Sequence, residues 1–182
     1  TTDFYAPDDG LPIGIAFTGD WHLGAGGVDT ERLGADLGLI SATPGLYAVG
    51  MGDFVEGVNI TTKAAAALYS GVLNDGNLQE MYALMRLGRA AGKWLALVSG
   101  NHDEWMKRAS GVSRIDRLAR DLGMRGQRPP HFCQGGGTIF AHVGEQRYVI
   151  AVTHNAKGNS QLNTTNAQRR TYDSWPQWEN CD

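Results

Sequence analysis

Cysteine is nearly absent: Cys133 and Cys181 are the two in 182 residues, and no CxxC spacing occurs. That is too few for a disulfide framework and favours a reducing compartment. No apolar run approaches the roughly 20 residues of a membrane span, and no positively charged, apolar leader opens the chain. Excess positive charge is missing too. Lys and Arg total 16 against 19 Asp and Glu, a net charge of −3, so no global basic field advertises nucleic-acid binding, although a local basic patch is compatible with these numbers. Repeats and low-complexity tracts are absent. The chain opens on Thr1 rather than Met, which gives the expectation of a segment cut from something longer. What is there is the mixture of an ordinary globular domain, 42% hydrophobic and 19% charged, at a length suited to one domain.

Short apolar runs alternate with helical patterns. Ile13–Phe17, Leu46–Met51, Trp94–Val98 and Arg147–Val152 read as buried strands, and Thr138–Ala141 reads as the hairpin partner of the last across "VGEQR". In "NLQEMYALMRLGRAAG" the residues Leu78, Met81, Tyr82 and Met85 keep the spacing of one helix face, with Asn77 as N-cap and Gly92 as stop. Val112, Ile115, Leu118, Ala119 and Leu122 form a second stripe closed by Gly123. A third helix is expected from Asp29 to about Ile40, weakened by Gly34 and Gly38, and a fourth over Thr61–Tyr69. Strand and helix in alternation predict an α/β layered domain. Lys157 to Asn180 is polar and aperiodic, and carries Trp175, Pro176 and Trp178.

In open α/β sheets, ligands gather beyond the carboxyl ends of the strands. The first strand is followed by Asp20-x-His22, the second by Gly52-Asp53 with Glu56 three residues on, the third by Gly100-Asn101-His102-Asp103 and the fourth by His154. Every predicted strand thus ends in an oxygen or nitrogen metal ligand. Two divalent ions about 3.5–4 Å apart need one shared anionic ligand and further neutral or anionic partners. A carboxylate such as Asp53 can bridge, while imidazoles and an amide oxygen complete the shells without adding charge that repels phosphate.

The order DxH, GDxxE, GNHD and a strand ending in His resembles the calcineurin-like metallophosphoesterase family, over Ile13 to about Asn163. The resemblance implies a four-layer α/β/β/α sandwich with mixed sheets and a dinuclear centre of Mn, Fe or Zn, with Mn2+ expected. It implies Asp20 and His22 on the first metal, Asp53 bridging, and Asn101 and His154 on the second. His102 would act as proton donor or phosphate contact, oriented by Asp103, and the nucleophile would be a bridging hydroxide. The family closes with GHxH, whereas this chain has no HxH pair and no histidine after His154. The expectation is a single domain over 1–182, cut before its last strands, with 157–182 as a polar extension. His131 and His142 are poor substitutes, the first in an "RPPHF" turn and the second in a strand.

The "HNAKGNS" loop is similar to that of phage and prophage phosphoesterases, which implies the cytoplasm of a bacterium or phage-infected host. "GDFVEG" lacks the Arg of GDxVDRG, which argues against a protein phosphatase, and GNHD resembles the nuclease and phosphodiesterase branches. The implied function is a phosphodiesterase acting on DNA or nucleotides. The alternatives are a small-molecule phosphomonoesterase and a metal-poor binding module that lost the last ligands. Trp105 is a candidate base-stacking residue or a core anchor. Lys157, Arg169 and Arg170 are candidate substrate contacts, and Lys107, Arg108, Arg114, Arg117, Arg120, Arg125 and Arg128 make a local basic run.

Overall fold

The computed structural model describes residues 1–57, 73, 75–124 and 128–154. Within them the chain order is β1 (Thr2–Tyr5), β2 (Gly14–Thr18), α1 (Thr30–Ala42), β3 (Leu46–Gly50), α2 (Gly76–Leu87), a 3-10 turn (Gly88–Ala90), β4 (Trp94–Val98), α3 (Asn101–Ser110), α4 (Arg114–Met124), β5 (His131–Cys133), β6 (Gly136–Val143) and β7 (Gln146–Thr153). The fold is mixed α/β, with two sheets and four helices among the described residues. No described helix is long and apolar enough to cross a membrane. The expected helix over Thr61–Tyr69, the polar extension 157–182 and the candidate contacts Lys157, Arg169 and Arg170 lie outside the described residues, as does Arg125.

The four predicted strands do not share one sheet. β2, β3, β4 and β5 pair in that order, all parallel, whereas β1 lies parallel to β6 and β6 antiparallel to β7. The hairpin forms as expected, but in the three-stranded sheet. The fourth strand of the parallel sheet is β5, and His131 is the first residue of that strand rather than part of a turn. Only the three-stranded sheet is mixed.

One face of the parallel sheet carries the helices. Ala48, Trp94 and Leu97 meet Leu33, Leu37 and Ile40 of α1, Ala83 and Leu87 of α2, and Ile115, Leu118 and Leu122 of α4. The other face meets the three-stranded sheet, where Val49, Ala96, Val98 and Cys133 pack on Phe4, Ile139, Ala141 and Val152. Each fully buried Leu or Ile here contributes about 1.5–3 kcal/mol of transfer free energy. Between β3 and β4 the register shifts, since Ala48 pairs with Trp94 but Val49 with Ala96. That extra residue, a bulge at Leu95, lets Trp94 and Leu97 face the helices although they are three apart. Helix, sheet and sheet give three layers among the described residues, against the four expected.

Helix α2 turns a different face inward from the one its apolar spacing predicts. Gln79, Glu80, Ala83 and Leu87 are buried, while Leu78, Met81 and Met85 are exposed at 45%, 65% and 53%. The buried polar groups are matched. Gln79 accepts from Gly57 N at 3.0 Å and donates to Leu73 O at 2.8 Å, and Glu80 pairs with Arg114 and Arg117. Buried polar groups with partners carry little penalty, so they displace the apolar stripe. The N-cap is Asp75, whose carboxylate accepts from Asn77 N and Leu78 N.

Candidate metal centre

Strands β2, β3 and β4 deliver their carboxyl ends to one edge of the parallel sheet. The loops after β2 and β3 run on side by side, with Asp20 N donating to Gly52 O at 2.9 Å, His22 N to Asp53 O at 2.9 Å and Leu23 N to Phe54 O at 3.0 Å. This stitching forces an unusual backbone. Asp20, His22 and Asp53, at φ of +53°, +45° and +50°, are the only non-glycine residues with positive φ among the described residues. Such conformations cost on the order of 1–3 kcal/mol each and collect at functional sites. All three were singled out from the sequence as metal ligands.

Glycine permits the close approach. A Cβ on Gly100 would stand 2.0 Å from Asp53 Oδ1, and one on Gly52, at φ +90°, would stand 2.5 Å from Gly100 N. The β3 and β4 loops touch only because neither carries a side chain there.

At the centre lies Asp53, 2% exposed. Its Oδ1 accepts from His102 N at 2.9 Å. Its Oδ2 is 3.2 Å from His154 Nε2 and 4.0 Å from His22 Nε2, so this carboxylate stands between the two imidazoles. His154 follows β7 of the other sheet, and its Nδ1 donates to Met51 O at 2.5 Å, which turns Nε2 toward Asp53. Asp20, Asp53 and His154 offer donor atoms that all lie within 4.8 Å of one another. Asp20 completes the rim, 70% exposed, with Oδ1 3.8 Å from His22 Nε2.

Charge is balanced by one ion pair. Burial pushes the Asp53 carboxyl up, but the hydrogen bonds from His154 and from the His102 backbone, with the charges of both rings, outweigh it and hold it below the usual carboxylate value. His154 is correspondingly raised to about 9, chiefly by its hydrogen bond to Asp53.

Asn101 opens α3 with its Oδ1 3.2 Å from His154 Nε2. With the amide turned over, its NH2 group instead donates to Asp53 Oδ2 at 3.3 Å and its oxygen accepts from His102 N at 3.3 Å. The oxygen-inward orientation gathers an amide oxygen, a carboxylate oxygen and an imidazole nitrogen at one point. That donor set suits a hard or borderline divalent cation, and Asp53, Asn101 and His154 fit such an ion.

A second layer orients the first. Glu56 Oε2 accepts from His22 Nδ1 at 2.8 Å, directing His22 Nε2 toward Asp20 and Asp53. The Glu56 backbone carbonyl accepts from His102 Nδ1 at 2.5 Å, its carboxylate being 3.9 Å away. The two rings meet edge to face, centroids 4.6 Å apart. His22, Glu56 and His102 also bring donor atoms within 4.8 Å of one another and could hold an ion. The 2.8 Å hydrogen bond already uses the nearest oxygen and nitrogen, which makes this triad an orienting layer. Glu56 is the residue that sequence reasoning noted by its spacing and gave no role.

Asp103 does not orient His102. It occupies the third position of α3 and folds back on the helix start, where Oδ2 accepts from Gly100 N at 2.7 Å and Asp53 N at 3.1 Å, the geometry of an N-terminal cap. Burial raises its carboxyl to about 6, against the lowering effect of those two N–H groups. Trp105 is not a core anchor: it is 45% exposed, and its ring lies 4.6 Å from that of His102. His131 and His142 are elsewhere, the latter on Asp3 at 2.9 Å and stacked on Tyr5.

Against protein-family models, curated proteins and solved structures, the chain has no match. The geometry therefore carries the functional argument. A groove of about 720 Å³ opens beside Asp20, His22, Glu56 and His102 and runs past Gly26 and Val28 toward Asp29, Arg32 and Asp36. A second cavity, about 370 Å³, lies at the opposite ends of the strands around Tyr47, Trp94 and His131, far from any donor cluster described above. The donor clusters lie beside the first.

Proposed function

We propose that this chain is a metal-dependent phosphoester hydrolase of the calcineurin-like kind, acting on phosphodiesters in a cytoplasmic setting. The observation that carries the reading is the concentration of backbone strain on Asp20, His22 and Asp53 around a buried carboxylate that faces two imidazoles. Folding retains such strain where the surrounding structure imposes it for a purpose.

In this reading Asp20, His22 and Asp53 hold one divalent ion, and Asp53, Asn101 and His154 hold another, with Mn2+ the expected metal. When bound, such ions supply Lewis acidity and a nucleophile at neutral pH. The chain's own groups do the rest. Asp53 places its charge between the two sites, and Glu56 keeps His22 Nε2 turned inward. His102 has Nδ1–H committed to the Glu56 carbonyl, so Nε2 is the ring atom that exchanges a proton with the leaving oxygen. No guanidinium stands in "GDFVEG". A monoester dianion, which asks for more positive charge than a diester, is therefore the less suited substrate.

The second reading is a metal-poor binding module without turnover. Hydrolysis of bis-p-nitrophenyl phosphate with Mn2+ separates the two. Turnover that falls at least about 100-fold in Asp53→Ala supports the enzyme. No turnover with Mn2+, Fe2+ or Zn2+ would overturn it.

A further inference from the structure

Helix α3 leads away from the centre with a face of its own. His102, Trp105 and Arg108 follow one another at intervals of three residues, which keeps them on neighbouring positions of one side. His22, His102 and Trp105 form a row of rings, with centroid spacings of 4.6 Å and 4.6 Å, running from the carboxylates to the surface. Trp105 is 45% exposed, although large aromatic side chains are mostly buried when packing alone decides. Arg108 is exposed and carries no ion pair among the described residues.

From this face we infer that the substrate is a single-stranded nucleic acid whose strand follows α3 outward. The inference rests on the phosphoester reading and names its substrate class. The scissile phosphate lies at the metal centre, its neighbouring base stacks on Trp105, and a further phosphate meets Arg108, about 9 Å along the helix from His102. A base must be unstacked to use such a platform, which single strands offer and duplexes do not. The direction follows from charge. The groove on the other side is flanked by Asp29 and Asp36, and Arg32 there is already held by Asp36 at 3.0 Å. That side repels a polyanion, while the Arg108 side attracts one.

The test is binding without turnover. A fluorescein-labelled thymidine oligonucleotide of about ten nucleotides is titrated with the full chain in EDTA, and anisotropy is read. Trp105→Ala should weaken binding at least about fivefold, and Trp105→Phe, which keeps a ring, should recover most of it. Arg108→Gln should lower the slope of log affinity against log salt by about 0.7. Circular dichroism melts of each variant guard against a folding artefact. Affinity within twofold of the parent in a folded Trp105→Ala would overturn the inference, as would thymidine monophosphate binding as tightly as the strand. The two readings fail separately. Trp105-dependent binding with no hydrolysis sinks the enzyme and keeps the track, and hydrolysis with Trp105-independent binding sinks the track alone.

Discussion

The two triads at the sheet edge put carboxylates and imidazoles to opposite ends. In the first, the nearly inaccessible Asp53 carboxylate holds His154 up at about 9, and Asp20 stands exposed at the rim. His22, Glu56 and His102 are all half-buried and are bound together at their ring Nδ1 atoms, His22 to the Glu56 carboxylate and His102 to the Glu56 backbone carbonyl. The first triad stores charge that a cation can take over, whereas the second stores orientation. What separates them is the burial of the Asp53 carboxylate and the direction of the hydrogen bonds.

The largest expected effect belongs to Gly100→Ala. Its methyl would fall 2.0 Å from Asp53 Oδ1 and 2.6 Å from Asp53 N, and backbone cannot yield as a side-chain tip can. A loss of about 3 kcal/mol in a denaturant melt is expected, together with loss of Mn2+ binding by calorimetry. An unchanged melt would show that the loops are looser than the geometry implies.

Glu56→Gln strikes the second triad while sparing the first. The amide oxygen still accepts from His22 Nδ1 but without charge, so Mn2+ affinity should fall about tenfold, the low end of what outer partners contribute. A fall as large as that of Asp53→Ala would mean that Glu56 is itself a ligand.

Acidity sharpens the contrast further. The folded value of His154, about 9, exceeds its ordinary 6.5. Its pairing with Asp53 therefore stabilises the metal-free protein in full below pH 6.5, and that contribution is lost as pH rises through 9. A cation must displace the same proton. Apparent Mn2+ affinity should then climb by up to about tenfold per pH unit toward 9, with about one proton released per ion. Calorimetry in buffers of different ionisation enthalpy reads that proton, and a flat profile would contradict the ion pair.

The smallest effect belongs to Asp103→Asn. Burial lifts this carboxyl to about 6 from 3.8, so its charged form costs stability above pH 6 and costs none below 3.8. The variant keeps an acceptor for Gly100 N and should melt about 3–6 °C higher than the parent at pH 7.5, with no difference at pH 4. A shifted pH–rate profile with an unchanged melt would restore Asp103 as the partner of His102.

Much of this was legible in the sequence, and for a physical reason. β2, β3 and β4 are short apolar runs bounded by glycine, and their ends carry polar residues that no core would choose. What escaped was tertiary. Glu56 stood in plain view three residues after Asp53, but nothing local says that its carboxylate reaches His22, 34 positions earlier. Asp103 follows His102 directly, and adjacency suggested partnership, whereas at the third position of a helix a carboxylate is drawn to the free N–H groups of the first turn. The outward stripe of α2 was misread because Gln79 and Glu80 find partners on distant segments, which periodicity cannot register. β5 hid behind Pro129 and Pro130, which read as a turn. β1 had no partner visible nearby, since it pairs with β6 from the far end of the chain.

The stitched loops after β2 and β3 have a consequence in time. Asp20, His22 and Leu23 give their amide protons to Gly52, Asp53 and Phe54, and Glu56 gives its own to Leu23 O at 3.1 Å. Such loops cannot open singly, because each holds the other's carbonyls. Their amides should exchange with solvent on the slow timescale of the strands rather than the fast one of surface turns. The site is then already assembled when a ligand arrives, and binding waits on diffusion rather than on a loop finding its shape.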